Sequence, residues 1–265
     1  MKNNFHSKEK VYVYYDNPNK KEFIKFILKD IPFDKEIGYA GYKNKSALKK
    51  FLNWSIYGDK KGNWENLNEK EIRKEINKVL FFCKSILENK KIKIFVFPTI
   101  DSFIIKKMDG VSGFSIWKNT IIINISSTKK WRKTLRETVC HELAHALALN
   151  FNKRKTIQDD LIFEGIAEHF REHFIGGGKA KWVRSIKRKQ IKQILKDIKP
   201  FLKKRDNKIY EELFFGSKKY PLWSGYAIGY YLVGSYLKKQ KKINWKKIIK
   251  IPPKEIIKFN ISSFN

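Results

Sequence analysis

Thr138-Val139-Cys140-His141-Glu142-Leu143-Ala144-His145 is the stretch on which the reading of this chain turns. It carries the pattern H-E-x-x-H, two imidazoles four residues apart with a carboxylate beside the first. Four residues make about one helical turn, so on a helix His141 and His145 stand on one face and can reach a single Zn²⁺, with Glu142 beside them to hold an attacking water. The flanks support a helix. Thr134, Thr138, His141 and His145 form one stripe, and Leu135, Val139, Leu143, Ala146 and Leu147 form a roughly opposite apolar one. One face would line a cleft and the other the core. In a chain with five His, composition alone yields this pattern about one time in a hundred or less.

Working outward, Ser127 and Thr128 are good N-cap types for this helix, which should run to about residue 150. Upstream, residues 114–117 and 120–125 read as two strands joined at Lys118-Asn119, because β-branched and aromatic residues dominate and Asn tolerates positive φ. Residues 92–97, stopped by Pro98, predict a further strand, and 11–15 another. Helical spacing of apolar residues marks 21–28 and 68–89. Downstream, Thr156 with Asp159 resembles a capping box and opens a second helix that ends at Gly176-Gly177-Gly178. A basic amphipathic helix over 182–202, a segment at 209–215 and a helix from Trp223 follow. The fold class is α+β, with a small N-terminal sheet and a mostly helical C-terminal half. Residues 1–89 are expected to pack, as a mixed α/β segment, on a catalytic unit of 90–265, the whole chain forming one compact unit.

A third ligand turns a His pair into a metal site. After 18 residues intervening from His145 stands Glu164, in Glu164-Gly165-Ile166-Ala167-Glu168. Two antiparallel helices with a short loop can bring Glu164 to the metal, and Gly165 lets helices approach closely. Glu168, one turn on, is placed to hydrogen-bond the free nitrogen of a liganding His, with His141 the expected partner. A competing inverted pattern lies in His169-Phe170-Arg171-Glu172-His173. Its two His point about 140° and 180° around the helix from Glu164, so one metal cannot use both sets. The upstream pair, with its hairpin before and its Glu after, is the better site. Ala148 and Phe151 stand where a metzincin needs Gly and His.

Near the C-terminus Trp223-x-Gly225-Tyr226-x-x-Gly229-Tyr230 repeats Gly-Tyr at a spacing of four. Two glycines on one helix face point to close packing against another helix. Tyr226 and Tyr230 share a face, and a phenol near a zinc site can donate to an oxyanion; an aromatic core helix would carry the same residues. Cys140 reads as a small buried hydrophobe, with a redox-sensitive thiol as the alternative.

Taken together, His141-Glu142-x-x-His145, Glu164-Gly165-x-Ala167-Glu168 and the Gly-Tyr repeat resemble the bacterial predicted zinc-dependent proteases catalogued as a domain of unknown function. The resemblance covers roughly residues 90–260. The 18-residue gap and the Glu-Gly-x-Ala segment are also similar to gluzincin aminopeptidases. This likeness implies a zincin-like metallopeptidase domain with His141, His145 and Glu164 as ligands of one zinc per chain, Glu142 as general base, and a peptide or protein substrate. The Gly-x-Met-Glu-Asn anchor of aminopeptidases does not occur, so aminopeptidase specificity is not implied.

Composition bounds the rest. The chain has 265 residues, 42% hydrophobic and 15% aromatic, which is globular and neither disordered nor collagen-like. Two Cys exclude a disulfide framework, and a charged N-terminus shows no secretory signal, so a cytoplasmic protein is expected. The longest apolar stretch, 223–237, is too short for a membrane span. The formal net charge is +32. It comes mostly from dispersed Lys among abundant Ile, Asn and Phe, as a low-GC genome would write; Arg clusters with stacking aromatics would argue for a dedicated nucleic-acid site. The segment 181–189 still supports an alternative of another class, a basic binding protein for nucleic acid or anionic membrane, and beside a peptidase function it supports weak electrostatic association with either. A zinc-containing module that no longer hydrolyses is the remaining alternative.

Overall fold

The computed structural model describes residues 10–13, 46, 49–50, 67–87 and 90–261. The helix expected over 21–28 lies outside these residues. Two compact units divide the chain, one of residues 1–37 with 41–146 and one of 38–40 with 147–265. The architecture is α+β, and no helix among the described residues is long and apolar enough to cross a membrane.

The first unit is built on a four-stranded sheet in the order β1 (Lys10–Val13), β2 (Lys93–Pro98), β4 (Thr120–Ile125), β3 (Val111–Trp117). β1 runs parallel to β2 and β2 parallel to β4, whereas β3 and β4 form an antiparallel hairpin. Ile94, Phe95 and Val96 of β2 and Ile121, Ile122 and Ile123 of β4 are fully buried. Their near-continuous apolar runs are those of parallel strands covered on both faces, and each buried Ile or Phe contributes roughly 1.5–3 kcal/mol. The expected hairpin turn forms at Lys118-Asn119, with Asn119 at φ 56°. β3 starts earlier than residue 114, after a turn in which Asp109 and Gly110 take φ 52° and 86°. A short helix that the sequence reading did not foresee, α3 (Ser102–Lys107), is capped by the Asp101 carboxylate, which accepts from the Phe103 and Ile104 amides.

The helix expected over 68–89 is split at Cys83 into α1 (Glu69–Phe82) and α2 (Lys84–Leu87). Cys83 leaves the helical region (φ −89°, ψ 5°), and its fully buried thiol lies 3.9 Å from that of Cys140. The helix breaks to turn this side chain inward. On α1, buried Glu75 accepts from Lys78 and from Arg136 of α4 (Trp131–Ala148). Burial alone would raise the Glu75 carboxyl, but those two cations pull it below the usual carboxylate range. α4 begins later than Ser127 and Thr128 suggest, because the Thr128 hydroxyl donates to the Asp109 carbonyl at 2.7 Å and does not cap the helix. Its first residue, Trp131, is buried.

In the second unit the capping box forms as expected: the Asp159 amide donates to Thr156 Oγ1 and the Thr156 amide to Asp159 Oδ2. It opens α5 (Ile157–Ile175), which ends on Gly176 at φ 76°. The expected continuous helix over 182–202 is replaced by a 3₁₀ turn at Trp182–Arg184, α6 (Arg188–Ile198) and a second 3₁₀ turn at Lys199–Phe201. Extended backbone at Lys187 breaks the first junction and Pro200, without an amide donor, shapes the second. α7 (Asn207–Phe215), α8 (Ser224–Leu237), α9 (Trp245–Ile248) and α10 (Pro253–Ile261) complete the unit.

α5 and α8 touch backbone to backbone. A Cβ on Gly165 would lie 2.1 Å from the Gly229 carbonyl oxygen, and one on Gly229 would lie 2.0 Å from that of Leu161. The close helix contact read from Gly229 is thus present, and Gly165 serves it by facing α8. Gly225 instead meets the Phe214 ring of α7.

Candidate metal centre

The segment 139–148 is buried at every position, so the two-faced helix expected there has no exposed face. A helix that is covered all round can hold polar side chains only where they find partners or a ligand. His141 and His145 are such side chains, with their Nε2 atoms 3.0 Å apart and their rings edge to face at 4.7 Å. Two nitrogens on one tetrahedral zinc, each at about 2.0 Å, stand about 3.3 Å apart. The pair therefore fits a shared metal ion.

Glu142 is buried beside them, and the hairpin makes the room for it. A Cβ on Gly113 of β3 would lie 2.6 Å from Glu142 Cγ and 2.9 Å from Thr138 Cγ2. Between Phe114 and Trp117 the β3 register slips against β4, so Ser115 and Ile116 oppose Ile121 alone. Such a bulge re-aims side chains. Here the Ser115 hydroxyl donates to the Glu142 carbonyl at 3.0 Å, and the Asn119 amide donates to that of Ala146. β3 is thereby pinned to the helix turn that carries both His. Among the described residues β3 pairs only with β4 and forms the edge of the sheet on the hairpin side.

In the second unit Glu164 lies on α5, buried, where its Oε1 accepts from Arg154 Nη2 at 3.2 Å. Arg154 also donates to Asp160 Oδ1 and Arg205 to Asp160 Oδ2, both at 2.8 Å. Burial holds the Asp160 carboxyl above its usual range, against the opposing pull of the two guanidiniums. The carboxylate oxygens of Glu168 accept from Trp182 Nε1 at 2.6 Å and Arg171 Nε at 3.1 Å. Arg171, itself buried, also donates to the carbonyls of Gly176 and Gly178, tying down the triglycine turn.

The Tyr230 hydroxyl donates to Glu172 at 2.8 Å, and burial followed by that carboxylate raises its pKa. Tyr226 is half-buried with its ring against Phe214. His169 stacks on Tyr230 at 4.0 Å, while His173 is exposed and leans on Phe174 and Trp245. Among the described residues no potential metal-ligand group includes His169, Glu172 or His173, so the inverted pattern assembles no site.

Gly113, Ser115, Arg154, Asp160, Arg171 and Trp182 went unrecognised in the sequence. A glycine just ahead of the strand pattern Phe114-Ser115-Ile116-Trp117 was the available sign for the first. Arg154, in Lys153-Arg154-Lys155, carries no local signal that sets it apart from the cations on either side.

Residues 69–258 match the family described as Predicted Zn-dependent protease (DUF2268), and the chain belongs to that family. A curated relative, uncharacterized protein YjaZ of Bacillus subtilis (strain 168), is 33% identical over 108 residues, which are 38% of this chain and 41% of that protein. The match spans less than half the length of that relative. No solved structure matches the chain.

Proposed function

We propose that this chain is a zinc-dependent peptidase of zincin-like fold, with one zinc held by His141, His145 and Glu164 and with Glu142 as general base. The observation that carries the reading is the buried imidazole pair at zinc-ligand spacing beside a buried carboxylate. Two imidazoles and the buried Glu164 carboxylate are also a chemically apt donor set. Family membership supports zinc and a peptide or protein substrate.

When bound, zinc supplies Lewis-acid polarisation of the scissile carbonyl and makes a water acidic enough to lose a proton near neutral pH. Glu142 takes that proton on its carboxylate and passes it to the leaving amine. The edge strand β3 offers main-chain groups to an extended peptide, aligning it by strand addition. Tyr226 and Tyr230 are the candidate donors to the developing oxyanion; Tyr230 must first release Glu172. Glu168 holds Arg171 and Trp182, and any bond from it to a liganding His is additional to these. Two buried cysteines in a chain too poor in Cys for a disulfide framework fit a cytoplasmic setting.

Metal content by mass spectrometry, paired with peptide hydrolysis, tests this. Wild type and Glu142→Gln are expected to hold about one zinc per chain, Glu164→Ala none, and Glu142→Gln to lose about a hundred- to ten-thousand-fold in rate. A wild type purified without chelators and devoid of zinc, or full hydrolysis by Glu142→Gln, would sink the reading.

A further inference from the structure

Arg154 sits in the segment before α5, with only 7% of its side chain exposed. Its guanidinium spans two carboxylates that stand one turn apart on the same helix face, Asp160 by Nε and Glu164 by Nη2. Phe163 offers the guanidinium a ring face at 5.6 Å. Unbridged, two buried carboxylates at that spacing would repel. The bridge is held from behind. The Ile157 and Gln158 amides donate to the carbonyls of Lys204 and Leu202, which brings the next residue, Arg205, onto the far oxygen of Asp160. The result is a chain of alternating charge that runs from the half-buried Arg205 through the buried Asp160 and Arg154 to Glu164 and ends on one oxygen of the proposed ligand.

We propose that Arg154 is a positioning residue for the metal: by engaging Oε1 of Glu164 it turns the carboxylate to present its other oxygen to zinc, and Asp160 with Arg205 locks Arg154 in that pose. The inference rests on Glu164 being a ligand. Partners of this kind fix the orientation of a ligand and are worth about ten- to a hundred-fold in metal affinity. A fork of fixed N–H groups does this better than an ammonium, so lysine should substitute only in part.

Zinc affinity of the full chain, measured by competition with a fluorescent chelator, tests the proposal alongside thermal unfolding of the metal-free protein. Arg154→Met is expected to weaken zinc about ten- to a hundred-fold, Arg154→Lys to recover part of that loss, and Glu164→Ala to abolish tight binding. Arg205→Met removes a side chain that is one quarter exposed, and it should keep the fold and weaken zinc by a smaller factor. Should Arg154→Met fail to fold, Arg154→Lys and Arg205→Met carry the test. Wild-type zinc affinity in every foldable Arg154 and Arg205 variant, with only the metal-free melting temperature lowered and with Glu164→Ala unable to bind, would reduce the network to a structural one and overturn the proposal. Tight zinc binding by Glu164→Ala would instead overturn the ligand assignment beneath it.

Discussion

At Gly113 the absence of one carbon decides where the proposed base stands. A methyl group there would meet Glu142 Cγ at 2.6 Å, Thr138 Cγ2 at 2.9 Å and Ile123 Cδ1 at 3.0 Å. Gly113→Ala is accordingly expected to cost about 1–3 kcal/mol in urea unfolding and to lower peptide hydrolysis by displacing Glu142, while zinc content stays at the wild-type level. Unchanged hydrolysis would show that Glu142 can yield without loss. At this scale the sequence was most informative where the chemistry is spelled by spacing, as in His141, Glu142, His145 and the Thr156–Asp159 cap. It was least informative for partners distant along the chain. Ser115 meets the Glu142 carbonyl across 27 positions, and only the fold reveals the pairing.

Elements were legible where local signals agreed. The turn at Lys118-Asn119 and the glycine stop after α5 both formed where Asn or Gly permits positive φ. Boundaries moved where a side chain had a stronger engagement elsewhere, as Thr128 did with the Asp109 carbonyl and Cys83 with the core. The basic stretch 182–202 shows the same competition: helical periodicity persists through Ile191, Ile194 and Ile198, yet backbone breaks bound it on both sides. The α5–α8 contact yields the sharpest element-scale prediction. Gly165→Ala and Gly229→Ala each drive a methyl to about 2 Å from backbone that cannot step aside. Each is expected to destabilise by roughly 3 kcal/mol or more, the upper range for overpacking, read as a lowered urea midpoint. A midpoint equal to wild type in either variant would contradict a contact this close.

For the whole molecule, charge and pH act together. With +32 formal charges the folded state works against its own repulsion, which acid intensifies. His169 adds a specific term. Burial holds it below its ordinary value of 6.5, against the Tyr230 carbonyl, Glu172 and Glu168, which raise it, and with Lys179, which lowers it. Below pH 6.5 the unfolded chain therefore takes up a proton that the folded one resists, and stability falls until the folded His169 protonates in turn. His169→Gln is expected to flatten the decline of the urea midpoint between pH 8 and pH 5.5, set about the ordinary histidine pKa of roughly 6.5. An unaltered slope would assign the decline to other groups. The tail of α4 has a different bearing on how the protein moves. With every side chain from 139 to 146 buried, its inner amides reach deuterium only when the surrounding structure opens as a body. The two imidazoles thus ride on a slow clock, and they stay paired through the brief openings by which loops and helix ends exchange.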